Sequence, residues 1–300
     1  MTFTTNTNRS RVLLTLCATL LVAPTTYAVE IIKIPGTTTS STSTTSSTSA
    51  TKSTSTTTKT LSTCLANTSL NTGAYRAEND TWGMGTTVGW TQCITATIIG
   101  FNNNGSSVAP VTNWTWSWPI TNPNTVQAYP SILFGYQPGA YSTTTLLPRQ
   151  ISSLTTASVN YNISSTHTGM GNTSFDIWLT NTATPTTFAA PPITNEVMIW
   201  LESYGNMSPG GTFLGQAVID NVTYNVWNNP NQGLGWDYTA FQRVVSQVGV
   251  GSINVLSFLT YMQNHGLVNS ANYLSAVLIG NEVINGTGST YINSYSIAIQ

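Results

Sequence analysis

Three acidic side chains stand inside apolar runs, where an ordinary solvated surface would not put them. Glu196 opens Glu196-Val197-Met198-Ile199-Trp200-Leu201, Glu282 closes Ala276-Val277-Leu278-Ile279-Gly280-Asn281, and Asp176 interrupts Phe175-Asp176-Ile177-Trp178-Leu179. Successive side chains of a strand alternate between its two faces. Val197, Ile199 and Leu201 then point into a core, Glu196, Met198, Trp200 and Glu202 share the other face, and Asp176 shares a face with Trp178. A sugar suits carboxylates set among Trp and Met, because aromatic rings cover its apolar faces while carboxylates bond its hydroxyls. Two opposed carboxylates are also what cleavage of a glycosidic bond needs. One protonates the leaving oxygen, and the other attacks the anomeric carbon or activates water there. The competing reading is structural, with acids at strand ends bonding neighbouring backbone amides. Alternation does not say that Glu196 and Glu282 face each other.

The chain that must position them has 300 residues with 8 Lys+Arg and 9 Asp+Glu, so 6% are charged, where about a quarter is usual. No apolar run beyond the N-terminus approaches the roughly 20 residues of a membrane span. With 40% apolar and 10% aromatic residues the chain is not a charged disordered one, and it carries no basic stripe for nucleic acid. Residues 1–28 read as a secretory signal, with Arg9 and Arg11 before the apolar run from Val12 to Ala23. Residues 29–60 form a linker that is almost pure Ser and Thr from Thr37 on, a disordered and O-glycosylated tether in composition. The expectation is an extracellular, secreted domain over 61–300, held near the cell surface if the signal stays uncleaved. Cys64 and Cys93, the even pair left after the signal, are expected to form a disulfide. Asn-X-Ser/Thr triplets, Asn79 and Asn172 among them, fit a secreted glycoprotein.

Periodicity in the domain is mostly two, as in Val159, Tyr161 and Ile163, and turn clusters such as Ser208-Pro209-Gly210-Gly211 separate the runs. Many short strands imply an all-β sandwich. One helix is expected over 253–265, capped by Ser252 and stopped at Asn264-His265-Gly266. Trp114, Trp116 and Trp118 alternate with Thr115 and Ser117 and read first as core, with a second sugar platform as the alternative. The remaining acids read as solvated surface groups. His167, in a loop-like stretch, and His265 lack Cys or His company at ligand spacing, so neither metal nor cofactor is implied. Gly169-Met170-Gly171 lacks the strand-then-helix context of a phosphate loop.

These residues also resemble a known family. Tyr75 through Trp82-Gly83, Tyr129-Pro130-Ser131-Ile132-Leu133-Phe134-Gly135-Tyr136, Phe175-Asp176-Ile177-Trp178, Glu196-Val197-Met198-Ile199-Trp200-Leu201 and Gly280-Asn281-Glu282 resemble, in that order, the motifs of glycoside hydrolase family 12. The exported, charge-poor form looks most like the family's archaeal members from hot acid habitats. The resemblance implies a β-jelly roll of two curved antiparallel sheets, with the helix on the convex side and a β-1,4-glucan polysaccharide bound on the concave face. It implies an endo-acting β-1,4-glucanase working by a retaining double displacement, as a monomer. Glu196 then takes the place of the nucleophile, Glu282 that of the acid/base, and Asp176 that of the aspartate bonded to the nucleophile. Met198, Trp200 and Tyr136 would line the groove, Trp82 would stack a distal glucose, Asn172 would supply a polar contact, and Pro209-Gly210 would form a loop over the groove. Asp80 stands where the family usually has Asn. A non-catalytic carbohydrate-binding or surface-layer jelly roll is the alternative, since sandwiches serve lectins too. So few charges also predict a stability nearly flat from neutral pH to about 2.

Overall fold

The computed structural model describes residues 57–100, 108–121, 125–231 and 233–300, so the expected signal and nearly all of the expected linker lie outside the described residues. Runs of period two become strands: β1 (Thr58–Thr63), β2 (Thr68–Asn71), β3 (Arg76–Asn79), β4 (Thr91–Ile99), β5 (Val111–Trp118), β6 (Ser131–Gly135), β7 (Arg149–Gln150), β8 (Ala157–His167), β9 (Met170–Thr180), β10 (Ile193–Tyr204), β11 (Thr212–Ile219), β12 (Val222–Asn229), β13 (Asp237–Arg243), β14 (Val250–Asn254), β15 (Tyr273–Gly280) and β16 (Val283–Ile299). β1 begins inside the expected linker. Thr58, Lys59 and Thr60 pair with Ile99, Ile98 and Thr97. Hydroxyls meet across that ladder at Thr60–Thr97 (3.2 Å) and Ser62–Thr95 (2.9 Å), which gives β-branched Thr a use that composition alone hides.

One sheet runs β1-β4-β5-β16-β8-β14 and the other β2-β3-β6-β15-β9-β10-β13-β12-β11, with β7 also on β15. β16 starts against β9 and then continues between β5 and β8, joining the two. Among the described residues the pairing departs from all-antiparallel at one place, since β10 and β13 are parallel. Residues 205–211 carry the chain to the far edge, and β11, β12 and β13 return as a meander whose last strand runs in the direction of β10.

Between the sheets lies one continuous core. Val197, Ile199 and Leu201 meet Phe175, Ile177, Leu179, Val277 and Ile279 there, as alternation predicts. Trp114, Trp116 and Trp118 belong to the same cluster and are buried, which retires their reading as a sugar platform. The helix α1 (Val255–Asn264) buries Val255, Phe258, Leu259 and Met262. Phe258 sets its ring 5.2 Å from Tyr224 and 5.0 Å from Phe241, so α1 covers the second sheet on the side away from Glu196. Its N-cap is Asn254 rather than Ser252, because Ser252 is still paired with Asn160 in β14. It stops where expected, at His265, with Gly266 at φ +68°.

The Cys64–Cys93 disulfide is present and ties the chain after β1 to β4. Two of the triplets cannot carry glycans in this fold. Asn79 and Asn172 are fully buried, and the amide of each donates hydrogen bonds within the protein.

Candidate active site

Register turns alternation into a map of the face turned away from the core. One row of lateral neighbours crosses the second sheet as Arg76, Leu133, Leu278, Asp176, Met198, Ala240, Trp227 and Phe213. Glu196 lies to one side of this row, two residues before Met198 and opposite Trp178. Glu282 comes in on the other side, at Asn172, four residues before Asp176 on β9. The Asn172 N–H donates to the Glu282 carbonyl (3.0 Å), and the Asn172 amide donates to Glu282 Oε2. The Asp176–Met198 row therefore passes between the two glutamates, which is what alternation could not establish.

Core residues hold Glu282 in place. Trp114 Nε1 (2.8 Å) and Thr290 Oγ1 (2.7 Å) both donate to Asn281 Oδ1, and the Asn281 amide donates to the Asn172 carbonyl (3.0 Å) and to Thr173 Oγ1 (2.8 Å). Asn172 Oδ1 accepts from the Glu282 N–H (3.2 Å) and from Ser174 Oγ (2.9 Å). A buried network with every member bonded fixes one geometry. Opposite, Trp236 Nε1 donates to Glu196 Oε2 (3.2 Å).

Burial pushes the Glu282 carboxyl up to about 8, the charge of Glu196 adds to this, and the Asn172 amide opposes it. Asp176 is driven well above its ordinary value of 3.8 by burial and by the charges of Glu196 and Glu282, against the Ile177 N–H. Its Oδ1 is buried without a hydrogen-bond partner. A carboxyl that keeps its proton near neutral pH is a proton donor in waiting.

Residues 73–300 match the sequence profile of glycosyl hydrolase family 12. The chain belongs to this family. Among its relatives, Endoglucanase S of Pectobacterium parmentieri is 29% identical over 75% of this chain and 82% of that protein. The xyloglucan-specific endo-β-1,4-glucanase A of Emericella nidulans is 25% identical over 76% and 86%. The family 12 xyloglucanase from Bacillus licheniformis, solved in complex with ligand, superposes with a TM-score of 0.69 at 27% identity and covers 80% of this chain and 100% of that one. The sandwich described above is thus the jelly roll of family 12.

The other expected site residues of this family 12 chain fall into four groups. Met198 and Trp200 are on the right face but 2% and 1% exposed, packed with Tyr238 and Met207, so they form the floor rather than a free surface. The Tyr238 hydroxyl donates to Met198 Sδ (3.5 Å). Met207 brings the loop 205–211 against this face, with Pro209 buried and Gly210 exposed. Trp82 is 57% exposed beyond β3, and its N–H donates to Asp80 Oδ1 (2.9 Å). Burial and the charge of Glu78 push Asp80 up to about 7. Tyr136 is not brought to the glutamates by any bond among the described residues; it bridges Ser142, and its carbonyl accepts from Ser275.

Local pattern misplaces or misses some acids and aromatics. Glu78 is no solvated group, since it is buried and paired with Arg76 (2.6 Å), which also reaches Gln137 (2.7 Å). His167 ends β8 rather than sitting in a loop; it lies 3.3 Å from Glu202 and stacks on Tyr204 at 3.6 Å. Beside Glu196, Trp178, Trp236 and Phe188 stand edge to face with centroids 5.0 to 5.9 Å apart. Trp236 and Phe188 come from connecting segments, where no periodicity could have found them. Among the described residues no group of three His, Cys, Asp or Glu could hold a metal ion.

Proposed function

We propose that this chain is a secreted endo-β-1,4-glucanase that hydrolyses cellulose or a related β-glucan by a retaining double displacement. The observation that supports it best is the placement of Glu282, held by Asn172 across the Asp176–Met198 row from Glu196, with burial raising its carboxyl as an acid catalyst requires. In the first step a Glu196 carboxylate oxygen attacks the anomeric carbon while Glu282 gives its proton to the glycosidic oxygen, and the leaving sugar departs. The products are a glycosyl ester on Glu196 and an ionised Glu282. In the second step Glu282 takes a proton from water, the hydroxide attacks the same carbon, and Glu196 leaves as carboxylate with the anomeric configuration retained. Burial and the charges of Glu196 and Glu282 favour the neutral form of Asp176, and in that form it lowers the repulsion among three carboxyls and can donate a hydrogen bond to the nucleophile. Residues 1–28 direct export and 29–57 then act as a tether.

Reducing ends released from carboxymethylcellulose, mixed-linkage β-glucan and xyloglucan test the activity and rank the substrates, and NMR of the first product tests retention. Glu196→Gln should abolish release and keep binding. Near-normal hydrolysis by that variant refutes the assignment, and tight binding without release by the wild type would make the chain a carbohydrate-binding protein.

A further inference from the structure

The row that passes between the glutamates does not end there. It continues from Met198 over Ala240 of β13 to Trp227 of β12 and Phe213 of β11, the edge strand. Four strand spacings of about 4.8 Å put Phe213 about 19 Å from Asp176 along the sheet. Trp82, 57% exposed, stands toward the opposite end of the sheet, beyond β3.

Phe213 reaches this face only because the strand is irregular. Ile219 and Ala217 of β11 point into the core, and Gly215 lies opposite core residue Val226, so strict alternation would send Phe213 inward as well. A register shift between Phe213 and Gly215 inserts Leu214 as an extra residue, with Gly215 at φ +128°, and Phe213 comes to lie opposite Trp227 instead. Bulges of this kind re-aim side chains beside functional sites. The two rings sit 5.3 Å apart at 53°. Trp227 packs inward on the cluster of Met198, Trp200 and Met207, and Phe213 is left 49% exposed. Edge strands normally protect themselves with Lys, Pro or inward charges. β11, Thr212-Phe213-Leu214-Gly215-Gln216-Ala217-Val218-Ile219, carries no charge and no Pro, and the bulge at Leu214 is its one such device.

We propose that Phe213 and Trp227 form an outlying subsite that stacks a pyranose ring of a linear β-1,4-glucan on the side of the scissile bond opposite Trp82, a proposal that rests on the glucanase reading of the cleft. A β-1,4-glucan repeats its apolar ring faces along its length, so a chain lying on the Asp176–Met198 row meets this uncharged aromatic surface next. The competing account is a cross-strand aromatic pair that only steadies the β11–β12 hairpin.

The variants Phe213→Ser and Phe213→Leu separate the two accounts; the second keeps apolar bulk at the strand edge and removes the flat ring. The readout is kcat/KM on cellohexaose divided by kcat/KM on an aryl β-cellobioside, whose aglycone is too short to span the distance to β11. The subsite predicts a fall of about tenfold in this ratio for both variants, with a shift in the bond cleaved. Val250→Ser, which removes an exposed apolar side chain from β14 in the other sheet, should leave the ratio unchanged. A ratio unchanged in both Phe213 variants, whatever their melting temperatures, overturns the proposal. If the wild type cleaves neither substrate, the glucanase reading fails separately, and titration calorimetry with cellohexaose decides the subsite: equal affinity of wild type and Phe213→Leu overturns it, and weaker binding by the variant supports it.

Discussion

Burial and the charge of Glu196 hold the Glu282 carboxyl at about 8, against an ordinary value of 4.5. The folded chain therefore binds a proton through a pH range in which the unfolded chain has lost it. Stability then falls as pH rises through that range, and on acidification it is gained between about 8 and about 4.5. At about 1.4 kcal/mol per pH unit the full interval is worth about 5 kcal/mol, and about 4 once the partial exposure of Glu282 is allowed for. Asp80, pushed up to about 7, and Asp176 and Glu78, both raised by burial, act in the same sense, but they share one field and do not add. A domain of this size gains about 2 to 4 °C per kcal/mol, so the melting temperature should rise by about 10 °C from pH 8 to pH 5. This reverses the flat profile expected from the scarcity of charge, because that expectation counted carboxyls without knowing that several are buried. Circular dichroism melts at constant ionic strength, on wild type and Glu282→Gln, measure it. The amide that replaces the carboxyl is neutral at every pH, so the variant should start higher at pH 8 and climb less. A wild-type melting temperature that is level or falls from pH 8 to 5, or an unchanged slope in the variant, refutes the reasoning.

Other outcomes follow from individual bonds. Asn172→Ala removes the amide that favours ionised Glu282, so the alkaline limb of the kcat/KM profile should move upward while turnover drops by one to two orders of magnitude, about the size expected for a displaced general acid; an unmoved limb counts against the pairing. Asn281→Ala strands Trp114 Nε1 and Thr290 Oγ1 in the core and should cost about 2 to 3 kcal/mol in urea unfolding, with a loss of turnover. Replacing Cys64 and Cys93 together by Ser opens a loop with a sequence separation of 29 and should cost about 3 to 4 kcal/mol without changing KM. Glu78→Gln leaves Arg76 buried without its ion pair, and a loss of about 3 to 5 kcal/mol is expected in the same unfolding measurement.

Local pattern carried much of this structure. Alternation around Glu196 and Asp176 assigned the faces of β9, and of β10 as far as Trp200, because a one-residue slip there would exchange a core Val for a groove Glu; Glu202, expected on the face of Glu196, is turned off it by a register shift after Trp200 that pairs it with Thr173 and sets it against His167 of β8. What it could not carry was the third coordinate. Glu282 follows the last residue of β15, Gly280, and its side chain is aimed by Asn172, 110 positions away, through an amide contact that no spacing in the chain encodes. Glu78 looked solvated although its partner Arg76 is only two residues away on the same strand, because the strands that cover it, β2 and β6 on either side of β3, come from elsewhere in the chain.

Phe213 shows the limit from the other direction. Period two counted back from Ile219 and Ala217 sends it into the core, and the pattern is wrong by one residue because Leu214 bulges out of the ladder. Gly215 is the one local sign of this, at a φ that a residue with a side chain rarely adopts. The sequence departs from its period where the strand leaves the sandwich and meets the cleft, which is where consistency with the core stops being the dominant constraint. A Gly inside an otherwise alternating strand near a proposed groove therefore argues for reversing the faces assigned beyond it, and in this chain the reversal moves a Phe from the interior to the face that carries Met198 and Trp227.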